Sequence, residues 1–166
     1  MKRIIFFLLP ILVGLIPFSG KPQGNLPTLD QVKLFRQLTG TWQRAGKTDT
    51  VAFYEIREFG NAFRQTNYRT IKGVTHLDIL YSYRFSPQEG KFRLFGHTPD
   101  GAELSFLAWF VAENRILLER NKDFETLKPI HRNDVTLTSP TKLHIISYNA
   151  EGAKIAETDW EKIRSY

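Results

Sequence analysis

From Gly40 onward, apolar and polar side chains alternate with a period of two, the spacing of strands that bury one face. The segment VTHLDILYSYRF (74–85) is the clearest case. Leu77, Ile79, Tyr81, Tyr83 and Phe85 point one way, His76, Asp78, Ser82 and Arg84 the other, and only Leu80 departs from the pattern. Similar segments lie at 49–59, 61–71, 91–97, 102–110, 115–122, 134–138, 142–149 and 154–163. Turn chemistry separates them: Gly60-Asn61, SPQEG, TPDG, Glu113-Asn114, SPT and AEGA. The pattern predicts an all-β domain of about nine or ten short, meandering strands. Closure into an antiparallel up-and-down β-barrel removes the edges such a sheet would leave, with a flattened sandwich as the alternative. No internal repeat supports a propeller.

Before Gly40 the period is different. Leu29, Val32, Phe35 and Leu38 recur at near-helical spacing, with Thr28 placed as N-cap and Gln31 as its capping-box partner. Gly40 stands where a left-handed stop is expected, so a short amphipathic helix is predicted over about 29–39. It would bury its stripe against the barrel.

The first residues form another unit. Lys2 and Arg3 precede an uncharged run from Ile4 to Phe18, which Pro10, Gly14 and Pro17 interrupt. The run is short for a membrane span and fits an export signal at 1–20, followed by a Pro/Gly linker at 21–27 and the barrel domain at 28–166. The expected mature protein begins between Gly20 and Asn25 and lies in a periplasm or outside the cell, with no stable membrane insertion. A retained anchor is the alternative.

Composition removes several classes of function. The chain has no cysteine, which excludes disulfides, thiol catalysis and thiolate metal sites. Its net charge is +6, falling to +4 without Lys2 and Arg3, and no basic run suggests a nucleic-acid partner. His76 and Asp78 share the polar face of their strand, where a solvent-facing pair is the simpler reading. His97, His131 and His144 lie on separate segments without metal-ligand spacing. No nucleophile elbow, zinc-protease motif or phosphate loop is present. Neither catalysis nor a cofactor is expected.

The aromatic side chains are more informative: thirteen Phe, six Tyr and three Trp. Tyr81 and Tyr83 lie with Ile79 on the core-facing side of their strand, where a cavity would supply water or ligand to the phenolic hydroxyls. The preceding strand has no clear apolar face. Tyr68 and Arg64 share one side of it, Gln65 and Arg69 the other, an arrangement suited to a wet pocket. Tyr81, Tyr83, Tyr68, Arg64 and Ile79 are therefore the candidate ligand-binding set.

The order of features in LFRQLTGTW (34–42), YSYRFSPQEGKFRLFGHTPDGAELSF (81–106) and YNAEGAKIAETDWEKI (148–163) resembles the lipocalin-like (calycin) superfamily. More closely, it is similar to small exported bacterial lipocalin-like proteins grouped as a domain of unknown function. The resemblance implies a lipocalin-like barrel in which Gly40 and Trp42 are structural and Arg164 is the residue left to stack on the tryptophan. It also implies a cavity for a small hydrophobic or amphipathic ligand. The other reading is a non-enzymatic envelope interaction or maintenance protein whose barrel is filled with side chains.

Overall fold

The alternation after Gly40 corresponds to ten strands joined by short turns. In a computed structural model, which describes residues 29–45, 49–121 and 129–166, these are β1 (Gly40–Arg44), β2 (Thr50–Phe59), β3 (Ala62–Ile71), β4 (Val74–Ser86), β5 (Lys91–His97), β6 (Glu103–Ala112), β7 (Arg115–Asn121), β8 (His131–Ser139), β9 (Lys142–Asn149) and β10 (Lys154–Arg164). The expected leader, linker and Thr28 cap lie outside the described residues. Each strand pairs antiparallel with the next, and β1 pairs with both β2 and β10, closing the sheet into an up-and-down barrel of the lipocalin-like kind. Closure leaves no edge strand, so every strand has a neighbour on both sides.

The helix α1 (Gln31–Arg36) is shorter than the apolar spacing predicts. Asp30 is its N-cap, accepting the Lys33 backbone N–H at 3.0 Å. After Arg36 the chain tightens into i→i−3 turns, with Leu38 N–H bonded to the Phe35 carbonyl at 3.0 Å and Thr39 N–H to that of Arg36 at 3.1 Å. Gln31 has a tertiary role instead of a capping one. Its amide accepts the Phe110 N–H at 2.7 Å and donates to the Phe110 carbonyl at 3.1 Å, fastening α1 to β6.

Phe35 is the plug of this end of the barrel. Its ring lies 4.5 Å from that of Phe92, 4.6 Å from Phe63 and 4.9 Å from Tyr83, centroid to centroid. Trp42, from β1, is fully buried beside it and donates its indole N–H to the Leu38 carbonyl at 2.8 Å. Burying such aromatic side chains supplies about 1.5–3 kcal/mol each for a Phe-sized group.

Two expectations are corrected here. Gly40 does not stop the helix; it opens β1 with φ 131°, and a Cβ there would lie 2.3 Å from the Arg164 carbonyl oxygen. The glycine is needed because β10 approaches closely. Nor does Arg164 cover the tryptophan, since its guanidinium lies over Tyr166. Lys162 takes that position, its Nζ 4.8 Å from the Trp42 ring centroid and donating to the Gln37 carbonyl at 2.7 Å. Burial pushes the Lys162 ammonium below its ordinary pKa.

Candidate functional site

Between the aromatic floor and the other end of the barrel lies a cavity of about 400 Å³. That is within the range of about 300–1,000 Å³ typical of small-molecule sites. Its apolar wall includes Ile56, Leu94, Phe106, Ile116, Leu118 and Ile145. Polar side chains enter the same space: Gln65 and Asn67 from β3, Tyr81 and Tyr83 from β4, Arg120 from β7, and His131 and Asn133 from β8. Alternation explains the set. Ile116, Leu118 and Arg120 are successive inward positions of β7, and His131, Asn133 and Val135 are those of β8.

Of the residues singled out from the sequence, Ile79, Tyr81 and Tyr83 line the cavity. Arg64 is exposed on the outer face of β3. Tyr68 stacks on Phe53 at 5.1 Å, and neither Tyr68 nor Arg64 is among the lining residues. The inward groups of β3 are Phe63, Gln65 and Asn67, so the polar character of this strand reaches the cavity through its amides. Leu77 was expected to share the Ile79 face. A bulge intervenes: Ile79 pairs with Asn67, but Leu77 pairs with Tyr68. Directly paired residues share a face and neighbours on β3 do not, which turns Leu77 outward, 46% exposed. Asp78, the extra residue, pairs with Arg69 on the surface at 2.7 Å, while His76 is exposed.

The two tyrosines differ in their surroundings. The Tyr83 hydroxyl donates to the Gln65 carbonyl oxygen, and the Gln65 amide donates to Asn67 Oδ1 at 2.6 Å. Burial drives the Tyr83 hydroxyl well above the ordinary tyrosine pKa. Tyr81 sits nearer the polar end, its ring edge-on to Tyr83 and Phe106. Burial pushes its hydroxyl up to about 12, and the positive charge of Arg120 offsets part of that effect. Both tyrosines stay protonated at neutral pH and so remain able to donate hydrogen bonds.

Gly96 has a part in this arrangement that its position inside a strand foreshadows. It pairs with Tyr81, and a Cβ on it would fall 2.5 Å from the ring. The missing side chain is the space in which the Tyr81 ring lies. On the far wall, Asn133 Oδ1 accepts from the Ser147 hydroxyl at 2.7 Å and lies 2.9 Å from His131 Nε2.

Gln65, Asn67, Arg120, His131, Asn133 and Gly96 were not predicted as site residues. Extending the inward phase of β7 and β8 past their apolar positions would have found Arg120 and Asn133. Among the described residues, no group of three or more His, Asp or Glu side chains converges as a metal site would require. In comparisons with known proteins, no family model and no curated protein matches this chain.

Proposed function

We propose that this is an exported lipocalin-like protein that holds a small apolar or amphipathic molecule inside its barrel. The cavity of about 400 Å³ carries this reading, because a barrel filled by its own side chains would leave no such space. The apolar wall would supply most of the affinity and the polar groups would orient the ligand. Export is supported by the Lys2/Arg3 head and the uncharged run to Phe18. The order of helix, Gly-Thr-Trp strand and aromatic β4 supports membership of the lipocalin-like superfamily. Among the described residues around the cavity, no nucleophile–base pair is formed, which favours a binding role over catalysis.

The floor supports a second reading. Phe35, Phe63 and Phe92 pack together at that end of the barrel, and the Tyr83 hydroxyl is satisfied by protein. An envelope-maintenance protein would need nothing more. Uptake of a fluorescent fatty-acid-like probe, combined with native mass spectrometry of purified protein, separates the two. Saturable uptake or a retained small molecule supports the ligand carrier; neither appearing would leave the filled-barrel reading.

A further inference from the structure

Among the described residues that line the cavity, the charge is one-sided. Arg120 is half-buried in the cavity wall, flanked in register by Phe106 on β6 and His131 on β8. None of the described lining residues is an aspartate or glutamate. Elsewhere on β7 and β8, Arg115 is paired to Asp134 at 2.5 Å on the outer surface, and the Arg132 guanidinium lies over the Tyr148 ring. A guanidinium next to an apolar wall is costly to leave without a counter-charge.

Hydrogen-bond direction adds an independent observation. The chain Tyr83 to Gln65 to Asn67 runs donor to acceptor at each step and uses the carbonyl oxygen of Asn67. The carbonyl oxygen of Asn133 is likewise occupied by Ser147. In both asparagines the group left over is the amide NH2, a donor. With the Arg120 guanidinium and the Tyr81 hydroxyl, these amides bring four groups with donors to offer to this part of the cavity.

We infer that the ligand carries an anionic oxygen headgroup, a carboxylate or phosphate, which Arg120 binds with Asn67, Asn133 and Tyr81 while an apolar tail occupies the space toward Phe35. This rests on the reading of the barrel as a ligand carrier and names the class of ligand. A planar guanidinium gives a carboxylate or phosphate paired hydrogen bonds, and such charge-assisted bonds are the strong ones.

The test is displacement of a fluorescent probe by four compounds with the same tail: dodecanoate, dodecyl phosphate, dodecanol and dodecylamine. Dodecanoate or dodecyl phosphate should bind about tenfold or more tightly than dodecanol, with dodecylamine weakest. Which of the two anions is preferred identifies the headgroup. Arg120→Gln should bring the ratio of dodecanoate to dodecanol close to unity, and Arg120→Lys should retain a preference for the anion. Dodecanol binding as well as both anions in the unsubstituted protein would overturn the headgroup inference and leave the carrier reading intact. If no compound binds, both fall.

Discussion

The indole N–H of Trp42 donates to the carbonyl of Leu38 at 2.8 Å, joining the first inward residue of β1 to the turn that follows α1. The bond closes a short loop across Gly40 and fixes the angle at which α1 enters the barrel end. Lys162 lies over the same indole and reaches the Gln37 carbonyl, so one ring and one ammonium satisfy two carbonyls at the end of the helical turn. Helix ends leave such carbonyls without intrahelical partners. The Gly-Thr-Trp tripeptide is thus a closure device, in which Gly40 lets β10 approach and Trp42 seals the floor.

Replacing Trp42 with Ala should therefore cost about 3–5 kcal/mol, the range for deleting a buried aromatic. Trp42→Phe keeps most of the apolar contact but strands the Leu38 carbonyl, at about 1–3 kcal/mol. Denaturant unfolding of both variants is the check. Equal, small losses would mean that neither the ring nor its hydrogen bond holds the floor.

Gly40→Ala should be destabilising for two separable reasons. Backbone at φ 131° is strained for any L-residue, at about 1–3 kcal/mol, and the new Cβ would collide with the Arg164 carbonyl. The strands β1 and β10 should separate where they meet, seen as faster amide exchange in their pairing. A melting temperature unchanged in Gly40→Ala would contradict the close approach.

The ion pair between Arg115 and Asp134 gives a pH dependence of known sign. Hydrogen bonding from Arg115 holds the Asp134 carboxyl below its ordinary pKa, burial opposes this, and the arginine's charge adds to the lowering. A carboxyl depressed in the folded state contributes stability above its unfolded pKa and loses it as pH falls through the folded value. Because Arg115 is half exposed, the contribution should not exceed about 1 kcal/mol. Asp134→Asn should be less stable than the parent at neutral pH, and the gap should close in acid. A constant gap from neutral to acid pH would show that the carboxylate's charge plays no part.

What the sequence reveals of this molecule depends on how local each cause is. The inward phase of Ile79, Tyr81 and Tyr83 follows from alternation within one strand, so it is legible. Leu77 belongs to the same alternation but faces outward, because a bulge depends on pairing with β3 that one strand cannot reveal. The helix stripe was readable, whereas its start was not: Gln31 bonds to Phe110, and nothing in the local sequence identifies that partner. Gly40 was recognised as special, but its cause is the carbonyl of Arg164 at the other end of the chain. On β3, polarity on both faces was visible, yet only the closed barrel assigns Gln65 and Asn67 to the cavity and leaves Arg64 in solvent.

Gly96→Ala tests the shape of the cavity without altering any polar group. The added methyl meets the Tyr81 ring, which must swing aside into the space a ligand would use. Uptake of a fatty-acid-like probe should weaken about tenfold or more, while stability falls by about 1–3 kcal/mol, as expected for overpacking. Normal uptake with lower stability would place the bound probe away from Tyr81.

Tyr81 and Tyr83 offer the sharpest separation, because they share a face but not an environment. Tyr83→Phe removes the donor to Gln65 at the most buried point of the amide chain, so it should cost about 1–3 kcal/mol of stability. The freed Gln65 oxygen would no longer fix the direction of the bond to Asn67. Tyr81→Phe strands no protein acceptor among the described residues, and its stability should stay within about 0.5 kcal/mol of the parent. Its effect should appear in binding: an anionic-headed probe should bind more weakly, and an apolar probe of similar size should be little affected. Denaturant curves and probe titrations on the same two preparations measure both quantities. A Tyr81→Phe variant that loses stability like Tyr83→Phe would mean that its hydroxyl is held by protein, and would remove Tyr81 from the ligand site.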